Sequence, residues 1–339
     1  MTKKLDYYNF DKLFSHNGVY NFVIGGRGLG KTYGAKIKAI SAAIKKGEQF
    51  IYLRRYKTEL KGKNTFFADL AGVHPNHVFR VNGSNIEMAL KSERDDKEKG
   101  WKLIGYFIAL STAQNQKGVS YHDVTLIIFD EFIIEKGAVQ YLPDEATAFT
   151  NFFSTVDRYK DKTRVLFLAN SVSITNPYFI EYELEPKAGE EWIKKFDGFV
   201  VCHFPDSEEF KRGVYETRFG KFIKGSDYAD YAVGNAFKDN NDSLLQLKNS
   251  EAQYVFTLET KIAIFSVWKD YEENEWYVQE KRPKNELFFT VLPERMSEEK
   301  RLIMFNDQFL QILRNAFSKG YVSFDKPKTR NAFVQIFKR

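Results

Sequence analysis

The segment GGRGLGKT at residues 25–32 constrains the fold of this chain more than any other feature. It matches the pattern G-x-x-x-x-G-K-[ST] in full and stands between a short apolar run, YNFVI at 20–24, and a helical stretch that ends at Gly47. A strand, a glycine-rich loop and a helix in this order predict a phosphate-binding loop, because the loop amides and the helix N-terminus together surround anionic oxygens. The predicted nucleotide-binding residues are Gly25, Gly26, Arg27, Gly28, Leu29, Gly30, Lys31 and Thr32.

Three side chains of this loop have predicted roles of their own. Lys31 is expected to neutralise the β- and γ-phosphate oxygens of a nucleotide, and the Thr32 hydroxyl is expected to ligate Mg²⁺. Arg27 lies inside the loop, where it could either bridge a phosphate or point at a neighbouring molecule. The loop therefore predicts a nucleoside triphosphate and Mg²⁺ as ligands.

A second motif, TLIIFDE at 125–131, ends an apolar strand in two adjacent carboxylates. Because ligands of open α/β sheets sit at the carboxyl ends of strands, Asp130 is expected to hold Mg²⁺ through water and Glu131 to activate the attacking water as a general base. This pair is typical of the NTPases that have an extra catalytic glutamate. The guanine-reading pattern N-K-x-D does not occur in the chain, which favours ATP over GTP.

Three further polar residues are candidates for the same site. Asn170 follows the apolar run RVLFLA at 164–169, where it could hold the lytic water and sense the γ-phosphate. Arg158 begins the basic cluster RYKDKTR, and we predict it as an arginine finger, because an NTPase that works as a ring needs a cation delivered to its neighbour's γ-phosphate. Lys117, ahead of the acidic strand, is a second basic candidate.

Apolar strands alternate with helical segments in the first part of the chain, and this alternation predicts an α/β fold with a mainly parallel sheet between helices. The predicted elements are strands at 20–24, 49–55, 102–110, 124–129, 164–169 and 199–204, a hairpin turning at Asn82-Gly83, and a helix near 143–157. The predicted domains are a P-loop ATPase domain at 1–204, a small linker or lid subdomain at 205–245 and a second α/β domain at 246–339, with a three-strand meander and a helix at 297–320.

Charge and cysteine content narrow the class of protein further. The net charge is +6, but residues 1–64 hold 14 basic against 4 acidic side chains, and residues 314–339 hold 7 against 1. Basic ends allow a polyanion partner without proving one. A single cysteine, Cys202, excludes an internal disulfide framework. The amino terminus lacks the apolar stretch of a signal peptide, so we expect neither export nor a membrane position.

Several segments together resemble the DNA-packaging ATPases of phi29-like phages, in the same order along nearly the whole chain. They are GGRGLGKT, IYLRRYKTEL, the Lys117-Gly118 turn, IIFDEFIIEKG, FSTVDRYKDKTRV, LANSVSITNPYF and ETRFGKFIKG. The resemblance implies a terminase-like ring ATPase of the FtsK/HerA-related ASCE class, with a pentamer as the expected ring. Such a ring docks in the host cytoplasm on the portal vertex of a procapsid and drives double-stranded DNA inward. A structural packaging RNA is a further partner that the resemblance suggests.

The resemblance also implies site residues, position by position. The family's phosphate loop falls on 25–32, its Mg²⁺ acid on Asp130, its catalytic glutamate on Glu131, its trans-acting arginine on Arg158, its strand-end sensor on Asn170, and its basic residue between subunits on Lys117.

A DNA-gripping lysine of the family falls on Lys57, in RRYKTEL. The residues around it support this position, because residues 54–63 hold five basic side chains against the single acid Glu59. Lysine contacts to phosphate are blind to sequence, as a motor that passes every sequence requires. The predicted DNA-binding residues are Lys57, Arg54, Arg55 and Lys61.

The second domain has an RNase H-like nuclease fold in the related terminases, where carboxylates converge on two metal ions. Here the first strand of the meander, AQYVFTLE, has no Asp at its centre, and the acids Asp270, Glu272 and Glu273 fall in a predicted hairpin turn. We therefore expect a nuclease-like domain without nuclease activity, which binds DNA.

Two alternative functions remain at this point. One is another DNA translocase or helicase of the FtsK/HerA type, and the other is a non-catalytic portal-vertex protein that keeps ATP as a structural ligand.

Overall fold

The chain folds into two compact units, Met1–Lys238 and Asp239–Arg339. We describe a computed structural model, which covers residues 7–70, 72–92, 100–116, 118–134, 140–172, 176–184, 186, 190–234, 246–283, 287–304, 306–318 and 321–336.

A nine-stranded sheet forms the centre of the described part of the first unit, in the order β3-β4-β5-β2-β6-β7-β1-β9-β8. Its six inner strands, from β5 to β9, are all parallel, and antiparallel strands lie at both edges. The strands are β1 (Tyr20–Ile24), β2 (Gln49–Arg54), β3 (His77–Asn82), β4 (Asn85–Leu90), β5 (Lys102–Ala109), β6 (Val124–Asp130), β7 (Arg164–Ala169), β8 (Trp192–Lys195) and β9 (Val200–His203).

Helices cover both faces of this sheet. They are α1 (Asp11–Ser15), α2 (Lys31–Lys46), α3 (Glu145–Asp157), α4 (Pro177–Glu181), α5 (Glu208–Glu216), α6 (Arg218–Ile223) and α7 (Asp227–Ala232). Successive strand residues point to opposite faces: Phe22 joins the hydrophobic cluster that contains α3, and Val23 joins the cluster that contains α2. Burial on both faces explains the continuous apolar strands, and the predicted α/β fold with a parallel sheet between helices is confirmed.

The strand order places β7 between β6 and β1, with parallel pairing on both sides. The loop after β1 and the carboxylates at the end of β6 are therefore separated at the sheet edge by the end of β7. This arrangement brings three segments that are distant in sequence to one edge of the sheet.

The hairpin differs from its prediction by one residue. Asn82 pairs with Asn85, so the two turn residues are Gly83 and Ser84, not Asn82 and Gly83. Gly83 takes the positive φ of 59° at the first turn position, and Asn82 remains in β3. The dipeptide identified the turn, but a shift of one residue reverses the face on which each side chain lies.

The helices α5 to α7 belong to the first unit. Ile223, Ala229, Ala232 and Val233 are buried in the cluster that contains α3. The separate linker subdomain at 205–245 stays a prediction.

The second unit contains a six-stranded sheet in its described part, in the order β14-β13-β10-β11-β12-β15. The predicted meander forms its antiparallel centre, and β13, β14 and β15 pair in parallel at the two sides. The elements are β10 (Gln253–Glu259), β11 (Ile264–Asp270), β12 (Glu275–Gln279), β13 (Phe288–Thr290), β14 (Lys300–Leu302), α8 (Gln308–Ser318), β15 (Val322–Phe324) and α9 (Pro327–Ile336).

The helix predicted at 297–320 is shorter than expected. Residues Lys300–Leu302 pair with β13 as a strand, and α8 begins at Gln308. Asp307 explains the later start, because its carboxylate accepts a hydrogen bond from the Phe309 amide at 2.8 Å, as an N-cap does.

Among the described residues, no helix combines the length and the apolar character that crossing a membrane requires.

Candidate nucleotide site

The glycine-rich loop connects β1 to α2 and curls at the carboxyl edge of the sheet. Gly28 and Gly30 have φ values of 83° and 77°, a region that favours glycine. Gly30 is also packed closely, because a Cβ placed there would lie 2.6 Å from the Tyr7 ring. The backbone conformation therefore favours glycine at both positions, and at Gly30 the nearby Tyr7 ring also leaves no space for a side chain. Arg27 is exposed on the loop, and its backbone amide donates to the Ala232 carbonyl at 2.7 Å.

Lys31, the first residue of α2, turns its ammonium back into the loop. It donates to the carbonyls of Gly25 at 2.9 Å and Gly26 at 2.8 Å, and to Asn170 Oδ1 at 3.2 Å. The side chain is buried. Burial lowers the pKa of Lys31 to about 8, although the Asp130 charge opposes this shift. A phosphate brought into the loop would supply the negative charge that the buried ammonium needs.

Asp130 is held between two hydroxyl groups at the end of β6. The Thr32 hydroxyl lies 3.0 Å from both carboxylate oxygens, and the Tyr52 hydroxyl donates to Oδ2 at 2.7 Å. Burial and the neighbouring Asp130 charge raise the pKa of Tyr52, so its phenol stays protonated and remains a donor. The Thr32 hydroxyl and the Asp130 carboxylate are oxygen ligands of the kind that Mg²⁺ prefers, and they fit a Mg²⁺ site.

Tyr52 is a site residue that the sequence analysis missed. It lies in β2, which pairs directly with β6. Side chains alternate between the two faces of a strand, and Tyr52 lies on the face of the sheet that α2 covers. To identify Tyr52 from the sequence, one would have to know that β2 pairs with β6.

Glu131 follows Asp130 directly and points away from the core. Its φ is 56°, a left-handed conformation that is uncommon for glutamate, and its side chain is 63% exposed. Its carboxylate contacts the Arg54 guanidinium, which also donates to Glu59 at 3.1 Å. Arg54 therefore joins the glutamate at the strand end to the turn that follows β2.

Asn170 lies at the end of β7, between the loop and the acidic strand end, and contacts Lys31 as described above. The structure thus brings Lys31, Thr32, Asp130, Glu131 and Asn170 together. They line one cavity of about 650 Å³. Two tyrosines, Tyr7 and Tyr33, border the same cavity with ring centroids 5.7 Å apart, and aromatic rings of this kind can stack on a nucleobase.

The structure corrects the DNA-binding prediction for the two arginines. Arg55 is 1% exposed and forms an ion pair with Glu145 inside the first unit, so it cannot reach a DNA phosphate. The Arg54 guanidinium is taken up by two carboxylates, as described above, and its side chain is only 13% exposed. Sequence alone could not separate these two arginines from the exposed lysines beside them.

Lys57 begins a short 3₁₀ turn, Lys57–Leu60, that follows β2 at the same sheet edge, and Lys61 comes directly after that turn. Both side chains are exposed. The turn is fixed by two hydrogen bonds: the Tyr56 amide donates to the Glu59 carboxylate at 2.6 Å, and the Glu59 amide donates to the Tyr56 carbonyl at 3.1 Å. Exposed lysines on a rigid turn suit contacts with a polyanion.

Arg158 lies at the opposite, amino-terminal edge of the sheet. It caps the end of α3 with a φ of 50°, and its guanidinium donates to the Val119 carbonyl at 3.3 Å. The six residues of β7 separate this edge from Asn170, a distance of about 20 Å at 3.3 Å per residue. Arg158 therefore cannot contact the cavity of its own chain. The other basic candidate, Lys117, lies outside the described residues.

The loop after α3 is held by the buried Asp157 carboxylate. It accepts hydrogen bonds from the backbone amides of Asp161 at 3.0 Å, Lys162 at 3.1 Å and Thr163 at 2.9 Å. Burial alone would raise the pKa of Asp157, but these donors lower it below its ordinary value. The carboxylate thus fixes the loop that presents Arg158.

Replacing Asp157 with asparagine is expected to lower the free energy of unfolding by about 1–3 kcal/mol, because a buried amide group would face backbone donors. The carboxylate contributes stability above its unfolded pKa of 3.8 and loses it as the pH falls through the lower folded value. The difference between variant and native chain should therefore shrink below pH 3.8 in denaturant titrations. Asp161→Asn is the matched control, because that side chain is 83% exposed. An equal loss in both variants would contradict the prediction.

Two acids of the second unit, Glu259 and Asp270, are used in structural contacts. Glu259 is buried and pairs with Arg295 at 2.8 Å and Lys300 at 3.1 Å. Asp270 accepts hydrogen bonds from the amides of Glu272 and Glu273 in the turn after β11. Within the described ranges, no group of three or more His, Cys, Asp or Glu side chains could hold a metal ion. The absence of nuclease activity stays a prediction.

Comparisons with known proteins cover the whole chain. The family described as podovirus DNA encapsidation protein (Gp16) matches residues 1–339. The DNA packaging protein of Bacillus phage phi29 is 34% identical over 342 residues, which span 100% of this chain and 99% of that protein. The solved phi29 viral genome packaging motor assembly matches with a TM-score of 0.76 and 33% identity over 98% of this chain and 99% of that one. The N-terminal domain of the DNA packaging ATPase from bacteriophage phi29 covers 60% of this chain and 98% of its own, with 39% identity and a TM-score of 0.53.

Proposed function

This chain belongs to the podovirus DNA encapsidation protein (Gp16) family, and we propose that it hydrolyses ATP to drive double-stranded viral DNA into a procapsid. The resemblance to the DNA-packaging proteins of phi29-like phages is confirmed. The proposed parts are the ATPase activity, the ring of subunits and the role of each residue.

The proposal rests on one observation, the convergence of Lys31, Thr32, Asp130, Glu131 and Asn170 on one cavity. Backbone amides of the loop and Lys31 are suited to hold the phosphates of ATP, with the base beside Tyr7 and Tyr33. Thr32 and Asp130 would hold Mg²⁺, which would supply charge neutralisation on the phosphate oxygens.

Glu131 is the proposed general base. Its exposed carboxylate lies at the end of β6, and we propose that it activates the attacking water while Asn170 orients that water. Arg54 contacts Oε2 of this carboxylate, and Glu131 is proposed to take the proton from water once this contact opens. Arg54 is in turn linked through Glu59 to the turn that bears Lys57.

Arg158 is proposed to act on the nucleotide of a neighbouring subunit. Its position at the amino-terminal edge excludes action on the cavity of its own chain, and a ring places the edge of one subunit against the cavity of the next. We propose a homopentamer with Arg158 as arginine finger and Lys117 as a further basic residue at the same interface.

Lys57 and Lys61 are proposed to contact DNA phosphates. Replacing both with alanine is expected to reduce the slope of log affinity against log salt concentration by about 0.9 for each lost phosphate contact. Fluorescence anisotropy with duplexes of unrelated sequence would measure the slope, and the loss should be the same for each duplex.

Lys45 and Lys46 form the matched control for this pair. They are also two exposed lysines close in sequence, but they end α2 at the other edge of the sheet. If the Lys45→Ala, Lys46→Ala chain lost the same salt slope as the Lys57→Ala, Lys61→Ala chain, DNA binding would not be localised to the turn after β2.

The second unit is proposed to be a nuclease-like domain that binds nucleic acid without cutting it. Its sheet has antiparallel strands at the centre and parallel strands beside them, which supports a nuclease-like fold. Its proposed partners are DNA, the portal vertex of the procapsid in the host cytoplasm and a structural packaging RNA.

The whole proposal is tested by ATP hydrolysis with purified protein, double-stranded DNA and procapsids. We expect DNA to stimulate hydrolysis, particle images to show rings, and DNA to become nuclease-resistant only when procapsids are present. DNA translocation without procapsids would favour a general translocase or helicase. ATP binding without turnover would favour a non-catalytic vertex protein.

A further inference from the structure

A buried ion pair lies directly behind the proposed catalytic glutamate. Arg55 Nε donates to Glu145 Oε2 at 2.7 Å, and the two side chains are 1% and 0% exposed. The Tyr178 hydroxyl donates to Glu145 Oε1 at 2.8 Å, and the Leu142 amide donates to Oε2 at 2.8 Å. Glu145 is therefore satisfied on both oxygens, and its charge is matched by Arg55.

The rest of the Arg55 guanidinium binds the backbone of the acidic strand end. Nη2 donates to the Phe132 carbonyl at 2.6 Å, and Nη1 lies 3.4 Å from the Glu131 carbonyl. Glu131 lies between Asp130 and Phe132 and has the left-handed φ of 56°. Such a conformation is unfavourable for a residue with a side chain and persists where surrounding contacts hold it.

Stability alone does not account for this pair. Removing two charges from water is costly, and well-packed apolar side chains of similar volume often give equal or greater stability. An arginine fork, however, can bind a carboxylate and two carbonyls at fixed angles, which no apolar side chain can do.

We propose that Arg55 and Glu145 are positioning residues that hold the backbone of Glu131 and Phe132, and so aim the Glu131 carboxylate at the attacking water. Glu145 orients the guanidinium, Tyr178 orients Glu145, and the guanidinium fixes the two carbonyls. This inference rests on the proposed role of Glu131 and extends it to residues that do not touch the substrate.

The test removes both charges at once, because Arg55→Met alone would leave Glu145 buried without a partner. In the double variant Arg55→Met, Glu145→Gln, the new amide can still bond to Tyr178. We expect the variant to remain folded under the assay conditions, with an unchanged dissociation constant for a fluorescent ATP analogue. We expect kcat to fall by about 10–10²-fold at constant KM, which is the cost of a small misplacement of a reacting group.

Amide hydrogen exchange gives a readout that does not depend on hydrolysis. The Phe132 amide donates to the Leu168 carbonyl at 3.3 Å, and the Ile134 amide donates to the Tyr141 hydroxyl at 3.0 Å. Both amides should exchange faster in the double variant, since exchange reports local opening. Arg55→Lys, which keeps the charge but not the fork, should give a smaller change in the same direction.

The matched control is Arg80→Met, Glu87→Gln, which removes another close arginine–glutamate pair between β3 and β4, away from the cavity. It should leave kcat and exchange at residues 132 and 134 unchanged.

Unchanged exchange or an unchanged kcat in the folded Arg55→Met, Glu145→Gln protein would overturn the inference. A loss of kcat that only follows a loss of stability or of nucleotide affinity would also overturn it. If Glu131→Gln leaves hydrolysis intact, the proposed function fails instead, and the exchange measurement still reports whether Arg55 holds the strand end.

Discussion

Replacing Glu131 with glutamine is expected to reduce ATP hydrolysis by about 10²–10⁴-fold, the usual contribution of a positioned general base. Glutamine keeps the size of the side chain but cannot take the proton from water. The residues proposed to bind the phosphates and Mg²⁺, which are Lys31, Thr32 and Asp130, do not depend on this carboxylate, so ATP affinity should persist. Phosphate release in the presence of DNA and binding of a fluorescent ATP analogue would measure the two effects separately.

Glu59→Gln is the matched control for this variant, because Glu59 is the other carboxylate that binds Arg54. Its loss should leave the proton acceptor in place and weaken only the link to the turn after β2. A large fall of kcat in Glu59→Gln with little change in Glu131→Gln would mean that Arg54 pairing, and not proton transfer, limits the reaction.

The convergence of residues at the candidate nucleotide site could be predicted largely from local sequence. Glycines at Gly28 and Gly30 are required by backbone conformation, and the carboxylates of Asp130 and Glu131 follow an apolar strand whose end is a ligand-binding edge. These signals are contained within single segments of the chain. The placement of Asn170 also follows from its position after a strand, once the sheet is known to be parallel.

The residues around the site could not be predicted in the same way. Arg54, Arg55 and Lys57 are neighbouring basic residues, yet Arg54 binds Glu131, Arg55 is buried and Lys57 is exposed. The difference is decided by Glu145 and Tyr178, which are distant in the chain and become neighbours only through α3 and α4. A run of basic residues therefore predicts a charged surface only where no distant carboxylate takes up the charge.

The ends of the predicted helices and strands also differ from the structure, again because of contacts between distant segments. The segment before α8 has helical composition, but Lys300–Leu302 gains a partner strand in β13, and Asp307 caps the helix that follows. Tertiary pairing outweighs local preference in such short segments.

Arg158→Ala is expected to reduce hydrolysis by about 10³–10⁵-fold in the assembled ring, the contribution of an arginine finger. The residue stands at the far edge of the sheet from its own cavity, so its effect should require a neighbouring subunit. Lys160→Ala is the control, because Lys160 is exposed on the same loop and should be replaceable without loss. ATP turnover by rings of each variant would measure the difference.

Mixed rings distinguish action on the neighbour from action within one chain. A head-to-tail contact joins two different surfaces. In a ring that contains both Arg158→Ala and Glu131→Gln subunits, an interface between unlike subunits can therefore form in two ways, depending on which variant supplies the cavity. When the Arg158→Ala subunit supplies the cavity, its Glu131 is intact and the neighbouring Glu131→Gln subunit supplies an intact Arg158, so that site is complete. Hydrolysis should therefore return in mixed rings although each variant alone is inactive. If Arg158 served its own chain, neither subunit would contain a complete site, and rings proven to be mixed would stay inactive.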